Sequence, residues 1–165
     1  MIDGVFALTY YKGAMKRAIR LLKYHSVTDL VTELSSLLVS LYPSFLPKFD
    51  YFVPVPLSRK RERLRGYNQA ELLARAIGTR FSVPIETTIL SRVQYLKPQV
   101  DLRGDERRKN IIGSFSYNSS FTISNKNVCL VDDVSTTGAT LMECGKVLKA
   151  NGAGKVWAIV LAHGS

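Results

Sequence analysis

Two adjacent carboxylates, Asp132 and Asp133, follow the apolar run Val128-Cys129-Leu130-Val131 and precede Val134-Ser135-Thr136-Thr137-Gly138-Ala139-Thr140. The apolar run has the character of a strand buried on both faces of a parallel sheet. That strand is expected to end at Asp133, with a helix beginning near residues 137–140. At the carboxyl end of such a strand, the next helix offers unpaired backbone N–H groups and the positive end of its dipole. Ser135, Thr136, Thr137, Gly138, Ala139 and Thr140 then form a cup for a phosphate: glycine lets the backbone approach, and hydroxyls and amides donate. The acids would repel a phosphate that touched them. Set slightly apart from it, they suit sugar hydroxyls and a divalent cation. One end asks for phosphate and the other for a diol, which describes a ribose 5-phosphate. Taken alone, the same residues also describe an acidic turn followed by an ordinary helix cap. No other nucleotide loop competes, because Gly145-Lys146 is followed by Val147 rather than Ser or Thr.

Charge is the second chemical signal. Twenty-three Lys and Arg against 13 Asp and Glu give +10, a balance that attracts polyanions. The basic residues cluster at 59–65 (Arg-Lys-Arg-Glu-Arg-Leu-Arg) and at 103–109, in stretches expected to be loops or helix starts. Clustering favours a binding site over a uniform coat. Cys129 and Cys144 have no metal-ligand spacing and read as small hydrophobes in a reducing cytoplasm. His25 and His163 read as structural or surface residues, and Trp157 as core.

These groups need elements to position them. Residues 5–10 are β-prone, and Gly13 breaks that run. In 14–24, Met15, Ala18, Ile19 and Leu22 fall at helical spacing, with Lys16, Arg17, Arg20 and Lys23 mostly opposite. A second helix is expected over about 28–41, stopped by Pro43 and Pro47. Tyr51-Phe52-Val53-Pro54-Val55-Pro56 is a short strand with an unusual backbone at its end. A helix over 67–81 buries Ala70, Leu72, Leu73, Ala74 and Ile77. Residues 85–90 read as a strand, 97–110 as a long loop or exposed hairpin, and 114–121 as a strand or hairpin. Residues 123–127 read as a turn, a helix runs to about Ala150, and 156–161 form another buried strand. The alternation predicts an α/β fold: one three-layer domain over 1–165 with a mainly parallel central sheet. The start does not read as a signal peptide, and the apolar stretch 30–41 is too short to span a bilayer. The expectation is a soluble, cytoplasmic protein with no membrane insertion.

Residues 128–140 resemble the thirteen-residue phosphoribosyl-pyrophosphate (PRPP) signature of type I phosphoribosyltransferases: four apolar residues, two acids, then a small/Thr/Gly cup. Val53-Pro54-Val55-Pro56-Leu57-Ser58-Arg59-Lys60, Arg65-Gly66-Tyr67-Asn68-Gln69-Ala70-Glu71-Leu72-Leu73-Ala74, Lys97-Pro98-Gln99, Arg107-Arg108-Lys109-Asn110 and Ile112-Gly113-Ser114-Phe115 resemble the ComF family of competence-associated phosphoribosyltransferase-like proteins, GntX-type members included. Tyr11-Lys12-Gly13, Ile19 and Leu22-Lys23-Tyr24 fit as well. Many members carry a four-cysteine zinc module at the front; this sequence has none, so zinc is not expected.

The resemblance implies a fold of the type I class and several roles. Residues 57–60 would be the pyrophosphate loop, often with a strained cis peptide, in which Arg59 and Lys60 clamp the leaving group. Residues 132–140 would bind PRPP, with Mg²⁺ at Asp132 and Asp133 held largely through the ligand. Residues 97–110 would be the loop that closes over the site. Tyr67, Asn68 and Gln69 would either line the site or simply open their helix. Two functions follow: phosphoribosyl transfer from PRPP to an unknown acceptor, or non-catalytic handling of single-stranded DNA or sensing of PRPP. In purine-salvage members a carboxylate lies within the cup, where this chain has Thr136. The family also implies a place in DNA uptake, with contact to the uptake machinery. Arg-rich segments would track a phosphate backbone, and Tyr67 and Tyr95 would stack on bases.

Overall fold

The computed structural model describes residues 1–24, 29–93 and 111–164. Strands β1 (Gly4–Tyr10), β2 (Tyr51–Pro54), β5 (Val128–Ser135) and β6 (Val156–His163) form a sheet in the order β1-β6-β5-β2, every pair parallel. Val128, Cys129, Leu130 and Val131 are fully buried, as an inner strand covered on both sides requires.

Side chains alternate between the two faces of the sheet. Cys129, Val131, Ile159 and Leu161 meet α1 (Gly13–Tyr24), α2 (Asp29–Ser40) and α4 (Gln69–Phe81) through Ile19, Leu22, Leu38, Leu73 and Ile77. Leu130, Ala158 and Val160 meet α5 (Ala139–Ala150) through Leu141, Cys144 and Leu148. The result is the expected three-layer arrangement. A small antiparallel pair, β3 (Leu90–Arg92) with β4 (Phe115–Tyr117), adds Leu90 and Phe115 to the second core. At the outer edge Gly4 sits opposite Trp157 in register, and any Cβ there would collide with the indole ring. Trp157 is therefore half-buried against β1 rather than enclosed in the core.

Several boundaries differ from the sequence reading. β5 runs to Ser135 rather than ending at Asp133, while α5 starts at Ala139, within the 137–140 expected. Residues 85–90 do not form the expected strand: Ile85 makes an isolated bridge to Phe52, and the strand proper begins at Leu90. The basic run 59–65 is neither a loop nor only a helix start, but a complete short helix, α3 (Arg59–Arg65), with every residue except Arg65 exposed. The expected cis peptide is absent, since all peptide bonds among the described residues are trans. The 97–110 arm lies outside the described residues, as do His25 and Tyr95. Among the described residues, no helix is long and apolar enough to cross a membrane.

Candidate functional site at the carboxyl edge of the sheet

Parallel pairing puts the carboxyl ends of all four strands at one edge. Pro54 pairs with Val131, and the Val55 N–H donates to the Val131 carbonyl at 2.9 Å. The chain leaving β2 toward Arg59 and Lys60 therefore starts beside Asp132 and Asp133. His163 pairs with Ser135, and the Gly164 N–H donates to the Ser135 carbonyl at 3.0 Å. Crevices at such edges are where open α/β sheets hold ligands.

The turn into α5 has the form the cup requires. Gly138 adopts φ 75°, a left-handed conformation that a side chain would strain. The Thr137 hydroxyl accepts from the Ala139 N–H at 3.4 Å, and the Gly138 carbonyl accepts from Met142 at 2.9 Å. The first-turn N–H groups of Thr140 and Leu141 have no place in the helical ladder and remain for an anion. Thr136 and Thr137 are exposed, Gly138, Ala139 and Thr140 half-buried, and Ser135 buried.

Asp133 is set deeper, and Asp132 is half-buried. Asp132 accepts from the Asp133 N–H at 2.8 Å. Its carboxyl is pushed up to about 8, first by burial and then by the neighbouring carboxylate, against the pull of that N–H and of Lys23. Asp133 is 3% exposed, and its Oδ2 lies 2.9 Å from Lys23 Nζ at the end of α1. That ion pair is too poorly angled to count as a hydrogen bond, so Oδ2 remains buried without a donor. Among the described residues no group of three acidic, His or Cys side chains converges, so the chain offers a cation two carboxylates and no cage. That donor set fits magnesium only when a ligand supplies most of the oxygens.

Arg59 and Lys60 open α3, exposed and without an ion pair among the described residues. Ser58 caps the helix weakly, accepting from Arg61 N at 3.4 Å, and Gly66 closes it at φ 79°. The next residues are structural. The Tyr67 hydroxyl donates to the Leu22 carbonyl on α1. Asn68 caps α4 by accepting from Ala70 N at 3.0 Å, and its amide donates to the Val55 carbonyl at 3.0 Å. Gln69 is buried and accepts from Arg65 at 2.9 Å. The half-buried Tyr67 thus has its hydroxyl engaged within the fold. Cys129 and Cys144 are buried free thiols, both pushed up by burial, and His163 is exposed.

Two site-facing residues escaped the sequence reading. Lys23 was expected on the solvent side of its helix. Arg92, whose guanidinium lies 5.2 Å from the Phe115 ring centroid, sits in the electrostatic field of Asp132 and Arg61. The only signal for Lys23 was its place in Leu22-Lys23-Tyr24, directly after a fully buried leucine.

The arrangement of this fold is shared with solved phosphoribosyltransferases. An adenine phosphoribosyltransferase from Thermoanaerobacter pseudethanolicus matches with a TM-score of 0.52 at 15% identity, over 85% of this chain and 72% of that one. The enzyme from Leishmania tarentolae gives 0.52 at 14% identity, over 87% and 74%. At that identity the likeness concerns the fold, which is the type I phosphoribosyltransferase fold. The sequence relatives are of one kind. Competence protein F of Haemophilus influenzae is 38% identical over 116 residues, 68% of this chain and 51% of that protein. DNA utilization protein YhgH of Escherichia coli K12 is 27% identical over 156 residues, 90% and 68%. Competence protein ComFC of Bacillus subtilis is 29% identical over 143 residues, 86% and 56%. The homologues of this chain are thus ComF-type competence and DNA-utilization proteins. The chain spans about half the length of the first of them. No protein-family model matches the chain.

Proposed function

We propose that the chain binds PRPP with Mg²⁺ at the carboxyl edge of its sheet and transfers the phosphoribosyl group to an acceptor, releasing pyrophosphate. The observation that carries this reading is the order along β5: a half-buried and a buried acid side by side, a turn fixed by a left-handed glycine, then the amino end of a helix. The turn residues 135–140 would hold the 5-phosphate by amides and hydroxyls. Asp132 and Asp133 would accept from the ribose hydroxyls and hold the sugar's anomeric carbon toward the mouth of the edge. Arg59 and Lys60 would meet the departing negative charge. Magnesium, when bound with the ligand, supplies charge neutralisation between pyrophosphate and diol; the acid pair would touch it from the diol side.

Thr136 stands where purine-salvage relatives of the fold place a carboxylate. With no base in the cup, this chain suits an acceptor that is already nucleophilic at neutral pH. A PRPP sensor would use the same contacts without turnover, and pyrophosphate release separates the two.

A second reading is favoured by α3, whose Arg59, Lys60, Arg61 and Arg63 are exposed on one short helix beside the site. The named relatives act in competence and DNA utilization, and we infer that this surface handles single-stranded DNA during DNA uptake, alongside or in place of transfer.

Titration calorimetry with PRPP and Mg²⁺ tests the first reading. Asp132→Asn with Asp133→Asn is expected to abolish the binding heat while the melting temperature stays within a few degrees. Unchanged affinity in that double variant would remove the site assignment.

A further inference from the structure

Lys23 is a half-buried ion-pair partner of the site, fastened to it from two directions. We propose that it is the positioning residue for a furanose hydroxyl accepted by Asp133, and so sets selection of sugar phosphates that carry a diol. The inference rests on the sugar-phosphate reading above and adds a residue and a specificity to it.

Three observations converge. Lys23 Nζ lies 2.9 Å from Asp133 Oδ2, with the two side chains 19% and 4% exposed. Water therefore screens the pair little, and a carboxylate at that depth requires a counter-charge. Oδ2 nevertheless has no hydrogen-bond donor. Buried polar atoms in native proteins seldom stay unsatisfied, and a carboxylate oxygen has two lone pairs to offer. Lys23 supplies charge to this oxygen without occupying it directionally, which leaves it as an acceptor for a ligand O–H.

The third observation is how Lys23 is held. Its neighbour Leu22 presents one of the last carbonyls of α1, and the Tyr67 hydroxyl donates to it. Tyr67 adjoins Asn68, which donates to the Val55 carbonyl at 3.0 Å, and the Val55 N–H donates to Val131 on β5 at 2.9 Å. The end of α1 is thus tied through the Tyr67-Asn68 turn to the strand that carries Asp133. A lysine serving only solubility needs no such fastening. The ligand class that fits is a furanose 5-phosphate with its 2- and 3-hydroxyls free.

The test uses ribose 5-phosphate and 2,3-dideoxyribose 5-phosphate, the same phosphate without the diol, with calorimetric affinities for the full chain and for Lys23→Met, Lys23→Gln and Lys23→Arg. The wild-type chain is expected to prefer the diol by roughly tenfold or more, the worth of a hydrogen bond to a charged acceptor. Lys23→Met and Lys23→Gln should bring the ratio to within about twofold of one, with the dideoxy affinity barely changed. Lys23→Arg should restore most of the preference, because it restores the charge. Should the Met variant fail to fold, the isosteric Gln variant carries the comparison. A wild-type ratio persisting in both neutral variants overturns the role of Lys23 and leaves the site reading intact. Equal weakening of both ligands would also overturn it, since Lys23 would then act on the fold or the general field. A wild-type chain that binds neither sugar phosphate overturns the site reading itself.

Discussion

At the scale of single residues, Asp132 carries the clearest physical consequence. Its carboxyl is pushed from 3.8 to about 8 by burial and by Asp133, so between those values the folded chain binds a proton that the unfolded chain releases. Stability of the ligand-free chain should therefore fall as pH rises from about 4 to about 8. Asp132→Asn removes the group that titrates. Thermal melts across that range should show a flatter profile for the variant, and a higher melting temperature than wild type at pH 8. A parallel pH slope in the two proteins would place the titrating group elsewhere. The acid pair and the cup were legible in the sequence because all their residues are contiguous: one strand, one turn and one helix start contain them. Lys23 was not legible. Its partner lies 110 positions away (133 − 23), and helical periodicity reports only which side of a helix faces the core. That side was read correctly for Ile19 and Leu22, while the end of the helix, where Lys23 folds over the edge of the sheet, has no periodic signature.

At the scale of elements, the proposed binding mode would put α3 at the pyrophosphate end of the ligand and the 135–140 turn at its 5-phosphate end. The helix starts at Arg59, right after the chain leaves β2, and its first two side chains are exposed cations. Arg59→Ala with Lys60→Ala should weaken PRPP by roughly tenfold or more and ribose 5-phosphate by no more than about threefold, since charge-assisted bonds to the pyrophosphate are the ones lost. Calorimetry on both ligands decides it; equal losses would mean that these residues act only through the overall field. The long apolar strand β5 and the amphipathic helices announced themselves through composition and period. The β3–β4 pair did so only in part, because the strand or hairpin expected at 114–121 contains β4 while its partner begins only at Leu90, the end of the 85–90 expected. Each strand has only three residues, and their pairing joins Leu90 to Tyr117 across 27 positions (117 − 90), so the apolar cluster at residues 85–90 was assigned as the strand instead. The seven-residue α3 was half visible: Ser58 and Gly66 are recognisable cap residues, but the charged run between them has no apolar face to give a helical period.

At the scale of the whole molecule, the +10 charge sets a long-range attraction for polyanions, and α3 concentrates part of it beside the site. If single-stranded DNA binds there, log K for a short oligonucleotide should fall linearly with log salt, by about 0.7 per phosphate neutralised. Arg61→Glu with Arg63→Glu should flatten that slope by about 1.4 and do so for all sequences alike, because phosphate contacts carry no base information. An unaltered slope would move the contact away from α3, and no binding at low salt would remove the DNA reading. The sheet order has a further consequence, for assembly. Among the described strands β1 has only β6 as neighbour, and the Val156 N–H closes on the Asp3 carboxylate across 153 positions. Order along the chain and order in the sheet are thus opposed: β1 stays unpaired until β6, far along the chain at Val156–His163, has been made. Pairings this distant make folding slow, and a nascent chain stalled before residue 156 presents an open strand edge to its neighbours and to proteases. The same topology that gathers four strand ends at one edge therefore makes β6 the strand that ties β1 into the fold.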